Sequence, residues 1–392
     1  VVGGGEQHLL RLARRLAARG DRPTVVTRQS APDWAREEQL DGIRVLRVPP
    51  SGPARSGKYR MLPSAFRRVA RELSGHDLLV VRGTRVLGLP ALVAARLRGR
   101  PVVMQPEVNG ELSGEVFTWG TRLHATAGGR LLRAAARLRN RFLRDADAFV
   151  AMSHRIADEM RAARIDVERI AHIPHGVDCA RFRPATPEER RALRASLSLP
   201  ADGVIVTYTG RLLKGKGLET LIEAFGRAAG DDAALQLVLV GSGAGQALSI
   251  EDALRSSVAD AGLDARVRFT GPVDNVEDYL RASDVFALPS EFEGLGLSLV
   301  EAAASGLACI GARTGGIVDV IEHERSGLLI APGGAAELAA ALSRLATDRA
   351  ARESLGAGAR AAALARFDER DMVDRYRALF REVARRRPRA AA

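Results

Sequence analysis

With 392 residues, 46% of them hydrophobic, the chain is long enough for about two domains with sizeable cores. Its two cysteines, Cys179 and Cys309, are too few for a disulfide framework or a cysteine-built metal site and suit a reducing, cytoplasmic location; an aromatic content of 4% leaves few stacking platforms for nucleic acid, and no run of about 18 apolar residues offers a membrane-crossing helix. The net charge of +12 is held by the first half: residues 1–180 carry 31 Lys plus Arg against 18 Asp plus Glu, and the remaining 212 carry 28 against 29.

The chain opens Val1-Val2-Gly3-Gly4-Gly5-Glu6, and apolar residues then recur at helical spacing over 9–19, closed by Gly20. A glycine loop through which backbone approaches a phosphate ordinarily follows a strand. The expectation is therefore a chain that begins after the first strand of its N-terminal sheet, a strand usually central in doubly wound sheets. Short apolar runs alternate with helical patterns at 24–27, 78–81, 101–104 and 148–151, then at 204–209, 237–240, 267–269, 285–288 and 308–310. That rhythm predicts an α/β fold.

Between 51 and 144 there are 18 basic residues against 5 acidic ones. Arg130, Arg133, Arg137, Arg141 and Arg144 fall on one side of a predicted helix, with Leu131, Leu138 and Phe142 able to face elsewhere. Such a face reads as a basic amphipathic surface for an anionic membrane or a phosphorylated acceptor, or equally as a solvated side of an arginine-rich chain. Asp145-Ala146-Asp147 has the spacing of a metal-binding carboxylate pair, but it precedes a strand and reads as a helix-end turn. His172 and His175 are too isolated for zinc, so no metal is expected. Pro174, Pro184, Pro187 and Pro200 interrupt the pattern and mark a boundary. Three parts follow: 1–172, 173–370, and 371–392 as a C-terminal helix and basic tail packing back on the first domain.

The run at 204–209 ends in Gly210-Arg211-Leu212-Leu213-Lys214-Gly215-Lys216-Gly217, after which Leu218, Leu221, Ile222 and Phe225 recur at helical spacing. Strand, basic glycine loop and helix together make a phosphate cradle, and Arg211 and Lys216 can add the charges a diphosphate needs. Lysine occurs only at Lys58, Lys214 and Lys216, so two of three in one loop suggests that a compact ammonium is wanted there. Further on, Pro289-Ser290-Glu291-Phe292-Glu293-Gly294-Leu295-Gly296-Leu297-Ser298-Leu299-Val300-Glu301 places two carboxylates around a glycine turn. In one continuous helix Glu293 and Glu301 would lie roughly 12 Å apart along the axis and could not share a proton. Glu293 is better placed in the loop, with backbone N–H groups approaching a ligand near Gly294 and Gly296 and a helix beginning near Leu297. The two carboxylates could then hold opposite ends of one extended ligand; a Glu favoured by a helix macrodipole is the plainer alternative.

These residues in this order resemble the retaining nucleotide-sugar enzymes of glycosyltransferase family 4, which have the GT-B fold. The likeness spans nearly the whole chain, including Gly3-Gly4-Gly5-Glu6, Ile173-Pro174-His175-Gly176-Val177-Asp178, Val240-Gly241-Ser242-Gly243, and Gly315-Gly316 before Gly327-Leu328-Leu329. It implies two Rossmann-like domains facing across a cleft, the first lacking its initial strand, and transfer of a hexose-type sugar from a nucleoside diphosphate to a lipid, lipid-linked or saccharide hydroxyl. Cell-envelope glycolipid or polysaccharide synthesis, peripheral to the inner face of the membrane, is the implied setting. Arg211 and Lys216 would face the leaving diphosphate without a metal or other cofactor. Glu293 would orient the sugar and Glu301 the ribose, with Gly3, Gly4, Gly210, Gly241, Gly294, Leu295, Gly296 and Leu297 around the donor. On the acceptor or sugar side the resemblance points to the loops carrying Arg82, Arg85, Glu107, Asn109 and Glu111. Family members often carry a histidine in the stretch occupied here by residues 105–111, and this chain does not. An epimerase sharing the donor cleft, or a non-catalytic nucleotide-sugar or lipid-binding remnant, stands as the alternative.

Overall fold

The computed structural model describes residues 4–52, 57–115, 126–230, 234–246 and 248–386. The chain forms two compact units, one of Val1–Ile173 with Met372–Ala392 and one of Pro174–Asp371.

The first unit runs α1 (Gly4–Ala18), β1 (Thr24–Arg28), β2 (Glu37–Leu40), β3 (Ile43–Val48), α2 (Gly57–Arg60), α3 (Leu62–Glu72), β4 (Leu79–Arg82), α4 (Thr84–Leu97), β5 (Val102–Gln105), α5 (Ala127–Leu143), β6 (Ala148–Ala151), α6 (His154–Ala162) and β7 (Ile170–His172). Among the described residues its strands form two sheets, β1-β3-β2 and the all-parallel β4-β5-β6-β7. The β2–β3 pair was not expected, because Glu37-Glu38-Gln39 has no apolar run. Its signal is the turn: Asp41 and Gly42, both at positive φ, join Leu40 to its partner Ile43 in a two-residue hairpin. Helix α1 serves both sheets. Ala13 packs with Ile43 and Val45, while Leu12 and Leu16 pack with Val103, Ala148 and Val150. Apolar residues on two sides of one helix thus pack it against both sheets.

The second unit runs α7 (Pro187–Ser196), β8 (Val204–Thr209), α8 (Leu218–Ala229), β9 (Leu235–Val240), α9 (Glu251–Asp260), β10 (Val267–Gly271), α10 (Val276–Ala282), β11 (Val285–Leu288), α11 (Leu297–Ala304), β12 (Ala308–Ala312), α12 (Ile317–Val320), β13 (Leu328–Ile330), α13 (Ala335–Thr347) and α14 (Arg349–Arg366). Its six strands are all parallel in the order β10-β9-β8-β11-β12-β13. β8, β9, β11 and β12 are almost wholly buried, which explains their continuous apolar runs: a parallel sheet covered on both faces has no polar side to alternate with. β7 and β13, three residues each, are too short to show such a run.

The last helix, α15 (Glu369–Arg385), returns to the first unit. Met372, Val373, Tyr376 and Val383 join the cluster of Leu12, Leu16, Val103 and Val150, and Arg19–Asp374 and Arg377–Asp21 pairs close at 2.6 and 2.8 Å. Since Tyr376 is fully buried there, Tyr376→Ala should cost the first unit about 3 kcal/mol or more through the cavity it leaves. Trp34 belongs to that unit. Denaturant unfolding followed by tryptophan emission should therefore shift to a lower midpoint, and an unchanged midpoint would remove α15 from that core.

Candidate functional site

In the second unit the strand order reverses between β8 and β11, which pair through Val206 opposite Val285 and Thr207 opposite Phe286. Connections leaving the two strands at such a reversal depart to opposite faces and open a crevice beyond their carboxyl ends. Both glycine-rich segments begin there, 210–217 after β8 and 289–296 after β11. They touch through backbone: Gly217 has φ +67, and a Cβ on it would lie 2.1 Å from Pro289 O. Glu291 N also donates to Gly215 O at 3.0 Å.

Held between those contacts, Lys216 reaches across to the other loop. Its Nζ lies 2.5 Å from Glu293 Oε1, the oxygen that also accepts from Ser290 Oγ at 3.0 Å. The helices leaving the two loops, α8 and α11, start from left-handed Gly217 and Gly296 and have no side-chain cap. Their first-turn N–H groups therefore present two positive dipole ends beside the Lys216–Glu293 pair. An ammonium, a carboxylate and two helix N-termini suit a ligand that is anionic at one end and rich in hydroxyls at the other.

The remaining donor-side residues surround this pair at different depths. Gly294, Leu295 and Gly296 are buried in the loop, and Leu297 opens α11. Glu301 follows in the second turn, half-buried. It faces Arg181, whose guanidinium is raised above its ordinary pKa first by its hydrogen bond to Glu277 and further by Glu301 and Asp178. Arg211 is exposed, with Nη1 3.4 Å from Gln246 Oε1, so it lies toward the loop after β9. That loop meets the β8 corner directly: Gly241 has φ +131, and a Cβ there would lie 2.0 Å from Gly210 O. Glu251 Oε2 holds the same loop, accepting from Ser242 Oγ at 2.6 Å and Gly243 N at 2.9 Å. The Ser242 hydrogen bond, then the one from Arg255, lower the Glu251 pKa from 4.5 to about 2. Sequence reasoning did not single out Glu251; its position at the start of α9 carried no signal of its own.

On the first unit several expectations change. Arg82 ends β4 and Arg85 lies in the first turn of α4 rather than in a loop; Arg82 has a largely buried side chain 3.3 Å from Glu107. Asn109 is buried. Glu111, expected near a sugar or acceptor, is buried and accepts from Thr84 N and Oγ1, both at 2.9 Å, and from Glu107 N at 3.1 Å. A second carboxylate, absent from the expected set, completes the support: Glu159 accepts from Gly110 N, Leu112 N and Ser113 N at 2.8, 2.7 and 2.6 Å. Each carboxylate thus accepts three hydrogen bonds, all but the Thr84 hydroxyl from backbone N–H groups, and in this arrangement both shape the loop after β5. Asp147 likewise accepts from Val102 N at 2.8 Å and pairs with Arg96 at 3.2 Å, which makes it a structural anchor. Gly4 is the first residue of α1 and not part of a loop; Gly3 lies outside the described residues. Arg130, Arg137 and Arg141 are exposed on α5 and Arg133 is half-buried.

Residues 2–181 match the family model described as Glycosyltransferase Family 4, and residues 189–362 match Glycosyl transferases group 1. A D-inositol 3-phosphate glycosyltransferase 1 of Catenulispora acidiphila is 30% identical over 395 residues, covering 97% of this chain and 91% of that protein. A D-inositol 3-phosphate glycosyltransferase of Xylanimonas cellulosilytica is 28% identical, covering 99% and 93%. Among solved structures, sucrose-phosphate synthase from Thermosynechococcus elongatus is similar with a TM-score of 0.83 and 25% identity over 97% of this chain and 93% of that one. HepE of Anabaena, solved in complex with UDP and glucose, gives 0.76 and 22% over 97% and 96%. The shared fold is GT-B.

The depressed carboxyl of Glu251 sets a pH dependence. Its contribution to stability is fully present above its ordinary value of 4.5 and is lost as pH falls through about 2. Parent and Glu251→Gln proteins should thus differ in unfolding midpoint by a constant amount above that upper value and converge toward the lower one. A difference independent of pH across this window would show that the Glu251 charge does not hold the loop.

Proposed function

The chain belongs to the group 1 glycosyltransferases of glycosyltransferase family 4, and from that premise we propose that it is a cytoplasmic enzyme moving a hexose-type sugar from a nucleoside diphosphate to an acceptor hydroxyl with retention of configuration. The observation that carries this reading is the Lys216–Glu293 pair, spanning the loops of the two central strands. HepE, solved with UDP-glucose, supports the donor class.

Cleavage of the donor's sugar–phosphate bond puts negative charge on the departing diphosphate. Lys216, with Arg211 from the same loop and the N–H groups at the start of α8, supplies positive charge where it develops. Glu293 accepts from sugar hydroxyls, so the ammonium and the carboxylate meet the ligand on either side of the bond that breaks. Glu301, on the helix leaving the same loop, takes the ribose hydroxyls, and the amides from Gly294 to Leu297 take the sugar and phosphates. With no enzyme nucleophile assigned, the acceptor hydroxyl attacks from the face the diphosphate leaves. It forms the new bond to the anomeric carbon and passes its proton to the departing phosphate oxygen. The acceptor is a lipid-linked, lipid or saccharide hydroxyl of cell-envelope synthesis; the names of the relatives add phosphorylated polyols to those to be tried first.

Lys216→Ala should lower kcat by on the order of 10²-fold or more, as loss of a preorganised charge does, with a smaller change in donor affinity. An unchanged kcat in the folded variant would take Lys216 out of the reaction. Glu301→Gln should weaken binding of the free nucleoside diphosphate, and Glu293→Gln should spare that binding while impairing sugar transfer. Calorimetric titration with the nucleoside diphosphate separates the two; equal losses would contradict the assignment. Donor binding without transfer or hydrolysis in the parent protein would favour a non-catalytic sugar-nucleotide binder.

A further inference from the structure

The outer face of α5 is apolar where solvent-facing helices are ordinarily polar. Leu131, Leu138 and Phe142 are 72%, 61% and 51% exposed, and with Ala135 between them they stand at i, i+4, i+7 and i+11, one continuous stripe. The face toward the core is instead Gly129, Ala136, Asn140 and Leu143, all buried. The large apolar residues thus face elsewhere than the arginines, as the sequence allowed, but toward solvent. Helix α4, which packs on α5 where Gly88 meets Leu143, repeats the arrangement with Leu89, Val93 and Leu97, the last 70% exposed.

Charge accompanies the stripe on one flank. Arg130, Arg137 and Arg141 follow each other along α5 about 100° around the axis from Leu131, Leu138 and Phe142. Among the described residues none of the three guanidinium groups has an ion pair or hydrogen bond. Neither α4 nor α5 contains an Asp or Glu. An arginine face that is merely solvated has no reason to carry large apolar side chains beside it, and a protein partner is ordinarily met by residues of both signs. Apolar residues flanked by unopposed arginines match the two layers of an anionic bilayer surface: acyl chains for Leu and Phe, phosphate headgroups for Arg. No helix among the described residues is long and apolar enough to cross a membrane, so the contact is one of lying on the surface.

We infer that the outer face of α5, extended by Leu89, Val93 and Leu97 of α4, docks the protein on an anionic lipid bilayer, with Leu131, Leu138 and Phe142 entering the headgroup boundary and Arg130, Arg137 and Arg141 on the lipid phosphates. The docking rests on the transferase reading only for what such a bilayer would carry, a lipid or lipid-linked acceptor.

The test is co-sedimentation of the full chain with phosphatidylcholine vesicles with and without phosphatidylserine, for the parent, for Leu131→Ser/Leu138→Ser/Phe142→Ser, and for Arg130→Gln/Arg137→Gln/Arg141→Gln. The parent should bind only the anionic vesicles, and salt should weaken binding. The arginine variant should partition on the order of 10²-fold less, and the apolar variant should lose the fraction of binding that resists salt. Donor hydrolysis should be unchanged in both, because the substituted residues are none of those assigned to the donor and the Lys216–Glu293 pair lies in the other unit, so a failure of the docking and a failure of the transferase reading give different results. Absence of anionic binding by the parent overturns the inference, as does equal binding by parent and variants. A solution dimer of the parent that the apolar variant abolishes would assign the stripe to a second copy instead.

Discussion

The direct pairing of β8 with β11 is the constraint on which the donor-side arrangement depends. Because β9 and β10 extend the sheet to one side of β8, while β12 and β13 extend it beyond β11, the loops leaving these two central strands become neighbours at the reversal. Residues separated by 77 positions are thereby brought to 2.5 Å. Gly217 allows the approach, since any side chain there would collide with Pro289 O. An ammonium beside a carboxylate is a local neutral unit, held ready without a net charge to be buried. On the proposed reading a diphosphate would compete for the ammonium, and the carboxylate so released would accept from sugar hydroxyls.

The first unit uses its acids differently. Glu111, Glu159 and Asp147 each accept from backbone N–H groups, contacts that are charge-assisted and costly to leave unmade once buried. They stiffen the connection after β5 and the entries to β5 and β6. The charge asymmetry between halves is one of composition, and this division sharpens it at the surface. In the first half several acids are internal and many bases external, whereas in the second the two signs are balanced and widely paired.

Most strands were legible because a buried parallel strand writes itself as a short apolar run, as at Val204-Ile205-Val206 and Val285-Phe286-Ala287. The hairpin of β2 and β3 was legible only through Asp41-Gly42, since Glu37 and Glu38 disguise its first strand. Glycine spacing placed Lys216 and Glu293 in loops and α11 at Leu297. Their ion pair could not be read, because periodicity is local and says nothing of which loops a sheet makes adjacent. The hydrogen bonds of Glu111 were not legible for a related reason: residue type does not tell whether a carboxylate points at ligand or at a neighbouring peptide N–H. On α5 the arginines were counted by charge, while the apolar stripe at 131, 135, 138 and 142 needed the helix's buried side to be known before its exposure had meaning.

The central claim is that Lys216 and Glu293 act as one unit on the donor. A double-mutant cycle on kcat for sugar transfer, using Lys216→Ala, Glu293→Gln and the pair of substitutions, tests it most directly. The account predicts strong non-additivity, with the double variant losing little more than the worse single variant. Losses that multiply independently would mean that the two residues serve separate steps and that their contact is structural alone.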